Sequence, residues 1–242
     1  MDQLVSHPPV SAMPLPVRGQ EKLDTSIPAY MQEVYHWAYL DTRNALLLDH
    51  EWVVNLILWG NSPALRKAVL SEIEPASQVF QAAHVYGRMQ PDLARKIGPE
   101  GSLDVVDVVP LQVELCERKL HQFSNTQVRL ADASSREDQR YDAVVCYFLL
   151  HEIPEEYKHA VVDALLERVV TGGKAVFIDY HRTAPWHPLG GLMRLVFRTL
   201  EPFATSLTEN EISNYATCRD DFDWTKQTFF GGLYQKVVTT RR

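Results

Sequence analysis

Glycine is scarce in this chain, with 11 among 242 residues, and cysteine scarcer still at three. Cys116, Cys146 and Cys218 are widely spaced and odd in number. They give neither a disulfide framework nor the paired spacing of a zinc site, which predicts a reducing compartment. No run of apolar residues approaches the roughly 18 needed to span a bilayer. The first residues lack the basic start and apolar core of a secretory signal, so a cytoplasmic location is expected. Positive charge is also wanting. The net charge of −7 argues against a nucleic-acid partner, because phosphate binding needs a basic face. A peripheral membrane contact requires only an amphipathic surface and stays compatible with all of this.

What is present fits one α/β domain with additions. Residues 1–27, with Pro8, Pro9, Pro14 and Pro16 among polar neighbours, read as a mobile arm. From 28 to about 75 the pattern is helical. Tyr35, Tyr39, Leu46, Leu47, Trp52, Leu56 and Trp59 recur at helix spacing, with breaks near Asp41 and at Gly60-Asn61. Two or three helices ahead of the core would form a cap, either simply packed on the sheet or serving as a lid over an apolar substrate. Ser62-Pro63 opens one more helix.

From 76 onward, short apolar runs alternate with helical segments. Strands are predicted over 79–84, 103–108, 128–130, 143–150 and 174–179. Helices fall between them, the one before the last strand stopped by Thr171-Gly172-Gly173. This alternation predicts a doubly wound, mostly parallel sheet. A helical insertion near 185–217 carries Leu189, Leu192, Met193, Val196, Phe197 and Leu200 on one face, with Arg194 and Arg198 off it. The last segment, around Gly231-Gly232, reads as two strands forming an antiparallel edge, seven strands in all.

In such sheets ligands bind at the carboxyl ends of the strands. Asp107 closes the second predicted strand, followed by Val108, where a carboxylate can take the two hydroxyls of a ribose. It can equally interact with the dipole of the helix opening at Pro110. Asp132, followed by Ala133, ends the third, where it can accept from an adenine amine or be an ordinary loop aspartate. The first strand leads into Gln81-Ala82-Ala83-His84-Val85-Tyr86-Gly87. A dinucleotide site needs close backbone approach to a pyrophosphate, which side chains at Ala83 and Val85 obstruct. A nucleoside cofactor without phosphates makes fewer demands.

The element order, LARKIGPEGSLDVVDVVP, the LADA turn, YDAVVCYFLLHEIPEE, VTGGKAVFIDY and the closing FFGGLYQKVV resemble the class I S-adenosylmethionine-dependent methyltransferases over about residues 76–240. The ubiquinone and menaquinone methyltransferases are the nearest group. Their first turn usually reads D/E-x-G-x-G-x-G; here Gln81 replaces the acid, Ala83 and Val85 replace two glycines, and Gly87 alone is kept. That departure resembles the rhodoquinone biosynthesis proteins. The resemblance implies replacement of a ubiquinone methoxy group by an amino group, with S-adenosylmethionine as amino donor and Mn²⁺ assisting. It also implies a site at Gln81, Ala83, Val85, Tyr86, Gly87, Asp107, Val108, Asp132, Ala133 and Tyr147 for the cofactor, with Tyr86, His151 and Glu152 catalytic.

Chemically, losing the acid at position 81 removes a charged partner for the donor's ammonium. Val85 and Tyr86 would displace its methionine tail, turning a neutral amine toward the quinone. His151-Glu152, after the fourth strand, combines imidazole with a hard carboxylate, a mixture that suits Mn²⁺, although His151 can also pack and Glu152 can cap the next helix. Asp179 and His181, at the end of the fifth strand, would complete the metal set; His187 is a weaker candidate. Conventional C- or O-methylation of a polyprenyl quinone is the alternative, and a scaffold that no longer binds a cofactor is a third reading. A ubiquinone substrate implies peripheral contact with the inner membrane, through the cap or the helix around 189–200.

Overall fold

The computed structural model describes residues 27–242; the arm expected over 1–27 lies, but for its last residue, outside them. Seven strands form one sheet in the order β3-β2-β1-β4-β5-β7-β6. The strands are β1 (Gln78–Ala82), β2 (Ser102–Asp107), β3 (Thr126–Leu130), β4 (Tyr141–Tyr147), β5 (Val169–Tyr180), β6 (Phe222–Phe229) and β7 (Tyr234–Arg241). The first five pair in parallel, while β7 runs antiparallel to both β5 and β6. The doubly wound sheet with an antiparallel edge is therefore as the alternation predicts.

Burial explains the sequence pattern. β1, β2 and β4 are covered on both faces, so almost every residue is enclosed and most are apolar. One core cluster packs α4 (Ser62–Leu70), α5 (Met89–Ile97) and α6 (Pro110–Leu120) on one face. The other packs α7 (Glu155–Glu167) on the opposite face, through Val161, Val162, Leu165 and Leu166. α8 (Gly190–Thr199) adds Met193 and Phe197 to the first cluster, and α9 (Thr205–Glu209) adds Leu207 to the second.

Three expectations change. The Thr171-Gly172-Gly173 stop is not a helix end: α7 finishes at Glu167, and Gly172, at φ +78°, lies inside β5. There the register with β4 shifts between Tyr141 and Ala143, so the glycine serves a strand irregularity. The predicted apolar face around 189–200 is divided. Met193 and Phe197 are buried, but Leu192 and Leu200 are 44% and 52% exposed. The helical region at 28–59 is finer-grained than two or three helices. It comprises α1 (Ala29–Glu33), a π-helical turn at His36–Leu40, α2 (Thr42–Leu48) and α3 (Glu51–Ile57). Asp41 breaks the chain by capping α2, its Oδ1 accepting from the backbone N–H groups of Arg43 and Asn44 at 3.0 Å.

Candidate active site

The carboxyl ends of β1, β2, β3 and β4 surround a small cavity of about 60 Å³, lined by Ala83, His84, Asp107, Val108, Asp132 and Ala133. Tyr30, Met31 and Tyr39 of the N-terminal helices roof it. A second cavity, of about 170 Å³, begins across Tyr39, Ala83, His84 and Glu152, which line both. Its walls are largely aromatic and aliphatic, including Tyr35, Trp37, Leu58, Val85, Tyr86, Tyr147, Phe148 and Tyr180, with His151 and Glu201 facing in. Neither lining includes a lysine or arginine among the described residues.

Asp107 ends β2 as predicted, and its carboxylate is engaged within the chain. Oδ2 accepts from His84 N at 2.9 Å and Oδ1 from Val109 N at 2.8 Å. Burial pushes its carboxyl up to about 7, against those hydrogen bonds, which act in the opposite direction. Asp132 accepts from both the backbone N–H and the hydroxyl of Ser134 at 2.7 Å, closing the loop after β3. Buried Arg168 braces that loop by donating to the carbonyls of Ala133 and Ser135.

At the second cavity, His151 lies in a 3₁₀ turn after β4, reached through Phe148 at φ +54°. Its Nδ1 donates to Asp179 Oδ1 at 2.9 Å, and that carboxylate also accepts from the backbone N–H groups of Leu150, His151 and Tyr180. Nε2 is thereby turned toward Glu152 Oε1 at 3.7 Å and Glu201 Oε2 at 3.9 Å. Burial alone would lower the imidazole. Asp179, then Glu201 and Glu152, overcome it and hold His151 at about 9. Burial raises Glu152 to about 8, and Glu201 is raised for the same reason. The Tyr39 hydroxyl donates to Glu152, and the Tyr35 hydroxyl to Glu201 at 2.8 Å. The arrangement is a buried His–Asp pair presenting one imidazole nitrogen to an apolar cavity, able to accept and return a proton.

The residues expected at the site are only partly assembled. Ala83, Asp107, Val108, Asp132 and Ala133 surround the first cavity, whereas Val85, Tyr86, Tyr147 and His151 belong to the second. Glu152 and Ala83 touch both. Gln81 lines neither: it is wholly buried, its amide donating to Ala83 O at 3.2 Å. Gly87 lines neither as well, because the cap covers it.

The four-residue metal set does not form. Asp179 is saturated by four N–H donors. His181 points its Nδ1 at Gly232 O and belongs to a different cavity. Among the described residues no group of three or more His, Cys, Asp or Glu is placed to hold a metal ion. His187 packs beneath the β6–β7 turn, where a Cβ on Gly231 would sit 2.4 Å from its ring.

Sequence reasoning missed Tyr39, Glu201 and His84. Tyr39 stacks on Tyr86 with centroids 5.5 Å apart. His84 stands in the wall between the cavities. Gln112 Nε2 donates to Tyr39 O and to the Tyr86 hydroxyl, which leaves Gln112 Oε1 to accept from His84 Nδ1 at 2.8 Å. His84 Nε2 therefore carries a lone pair, and it has no partner among the described residues. Burial holds this imidazole well below its usual value, hence neutral.

Strand order, the aspartates ending β2 and following β3, and a cleft above both define the fold. The fold is the Rossmann-like one of the class I S-adenosylmethionine-dependent methyltransferases. Residues 79–173, from β1 into β5, match the family model described as a methyltransferase domain. Among solved structures, an O-methyltransferase family protein from Burkholderia thailandensis superposes with a TM-score of 0.61 at 16% identity, over 90% of this chain and 65% of that one. Mitomycin 7-O-methyltransferase superposes with a TM-score of 0.64 at 10% identity, over 89% and 61%. A TehB-like S-adenosylmethionine-dependent methyltransferase from Corynebacterium glutamicum gives 0.53 at 11% identity, over 83% and 98%. This chain thus spans less than two thirds of the length of the first two. No curated protein sequence matches significantly.

Proposed function

We propose that this chain is an S-adenosylmethionine-dependent transferase that modifies the ring of a polyprenyl quinone, replacing a methoxy group of ubiquinone with an amino group. The observation that carries it is the junction of the two cavities, where a nucleoside-type cleft meets an aromatic chamber beside His151 Nε2. The resemblance of the altered first turn to the rhodoquinone biosynthesis proteins favours amino over methyl transfer.

The donor's chemistry fits the residues. Asp107 and Asp132 line the first cavity, where this reading puts ribose and adenine, and His84 Nε2, unpartnered among the described residues, can accept from an amine. Bound there, S-adenosylmethionine supplies the nitrogen: quinone, donor amine and water give the aminohydroquinone, methanol and the donor's 2-oxo acid, the quinone taking the electron pair. His151 takes the proton shed by the amine and returns it to the departing methoxide, while Asp179 keeps the imidazole oriented. Apolar walls exclude water from the ring.

Ligand pockets usually measure roughly 300–1,000 Å³, well above either cavity, so Tyr30, Met31 and Tyr39 must withdraw before donor and quinone bind. The Mn²⁺ implied by the resemblance finds no assembled ligand set, and no step here runs through it.

The same reading needs a surface that meets the inner membrane. At about 100° per residue, the solvent arc of α8 runs from Arg194 and Arg198 through Gly191 to Leu195 and Leu192. Leu195 is 56% exposed, and Trp186 beside the helix 75%. Arg182, Arg194 and Arg198 line a cavity of about 720 Å³. None of their side chains hydrogen-bonds or ion-pairs within the described residues. This combination suits an anionic lipid interface. Among the described residues no helix is long and apolar enough to cross a membrane. Replacing Leu192 and Leu195 by glutamate should abolish sedimentation with phosphatidylglycerol vesicles. Phe197 is unsuitable for that test, since it is buried against Tyr180.

The deciding experiment supplies purified protein with ubiquinone and amine-labelled S-adenosylmethionine, with and without Mn²⁺, followed by mass spectrometry. Label in the ring supports amino transfer. A methylated quinone without label supports the conventional methyltransferase, which the O-methyltransferase folds above also accommodate.

A further inference from the structure

In an α/β nucleotide site, the N–H groups of the first turn and of the helix after it form the natural seat for the ligand's anion. Here the chain fills that seat itself. Gly87 N donates to Asp49 Oδ1 and Arg88 N to Glu51 Oε2, each at 3.1 Å, and His84 N is taken by Asp107. Asp49 and Glu51 come from the junction of α2 and α3, nearly forty residues earlier in the chain.

Both carboxylates are locked. Lys119 reaches Asp49 Oδ1 at 2.5 Å and donates to the carbonyls of Val85 and Gly87 at 3.0 Å, tying cap and turn together. Arg66 pairs with Glu51 at 2.6 Å and with Asp92 at 2.7 Å. Gly87 is shaped for this contact. It sits at φ +84°, and a Cβ there would fall 2.7 Å from Glu51 Oε2. The glycine that the turn retains is thus required by the cap's carboxylate. Asp92 is in turn paired with Arg95 at 2.6 Å and Arg88 at 3.8 Å, so an incoming carboxylate finds the nearby N–H groups and cations already engaged. No lysine or arginine lines either cavity among the described residues to receive it instead.

We propose that Asp49 and Glu51 are specificity-determining residues that make the donor site blind to a carboxylate, so that it accepts an adenosyl donor bearing an amine alone. This deepens the donor reading above and rests on it. In chemical class, the ligand is an adenosyl thioether or sulfonium with a free aminoalkyl chain.

The test is calorimetric binding of S-adenosylhomocysteine and of its decarboxylated analogue to the full chain, ligands that differ only in the carboxylate. Wild type should bind the two within about threefold. Asp49→Ala with Glu51→Ala, which frees both N–H groups and removes two charges, should favour the carboxylated ligand by at least tenfold. Glu51→Ala alone keeps the Asp49–Lys119 pair and should show a smaller shift in the same direction if the double variant fails to fold. A wild-type preference of tenfold or more for the carboxylated ligand would overturn the proposal, as would an unchanged ratio in folded variants. Binding of neither ligand would overturn the donor reading with it, whereas equal binding without any ring product would strike only the quinone reaction.

Discussion

Two aspartates end parallel strands of this sheet, Asp107 on β2 and Asp179 on β5, and both are buried acceptors of backbone N–H groups. Among the described residues Asp107 has only backbone partners, and burial leaves its carboxyl raised to about 7. Asp179 additionally holds an imidazole, which it helps lift to about 9. Position at a strand end is therefore not what makes an acid chemically active. The backbone seat is common to both, and the titrating partner is what sets the second apart.

Asp179→Asn should have the largest effect on this contrast. Losing the oriented, charged partner of His151 should lower kcat/KM for ring modification by roughly 10²–10⁴. The wild-type rate should rise as pH climbs through about 9, where the imidazole becomes a base. In the variant burial dominates, and that inflection should move to lower pH. An unmoved inflection alongside a lower rate would reduce Asp179 to a structural role.

Asp107→Asn should act on binding instead. Loss of a charged acceptor at the ribose position should weaken S-adenosylhomocysteine by roughly ten- to a hundredfold, read by calorimetry, with the pH inflection of any residual activity unmoved.

Stability against pH separates the two further. Both wild-type groups have raised folded values, so each contributes stability that is present at low pH and lost on the way up. For Asp107 the loss runs from near 4 to about 7; for His151 it runs from near 6.5 to about 9, and Glu152, raised to about 8, adds to the decline. Urea titrations should show stability falling across both windows. The slope of the lower window should flatten in Asp107→Asn and that of the upper in Asp179→Asn.

The smallest effect concerns the turn between the two regions. Ala83 sits at φ +63°, where a Cβ is strained. Ala83→Gly should gain about 1 kcal/mol, measured by urea melt, if the strain is local.

The strand-end acids were legible because a buried parallel strand is a continuous apolar run, and the polar residue that ends it stands out. Asp107 and Asp179 announce themselves in this way, as does His151 one turn beyond β4, whereas Asp132 follows the half-exposed edge strand β3 and is marked only by its place in the alternation. The residues that close the site do not. Tyr39 meets Glu152 across 113 positions and Tyr35 meets Glu201 across 166, with no periodicity to mark either pair. The retained Gly87 was visible, but not its cause, since Glu51 belongs to an unrelated stretch. Reading the turn as ligand-facing put Gln81 into the cavity; its place inside a strand covered on both faces instead buries it.

The strand order has a consequence for synthesis. β7, the last strand formed, lies between β5 and β6 and pairs with β5 from Lys174↔Thr240 to Tyr180↔Tyr234. A nascent chain that has emerged only as far as β6 therefore presents the long, apolar flank of β5 without its neighbour, a template for pairing with other chains. The sheet closes only when residues 234–241 arrive. Ribosome-bound intermediates halted before Tyr234 should accordingly be the aggregation-prone species, and cuts within that octet far more damaging than their distance from His151 suggests.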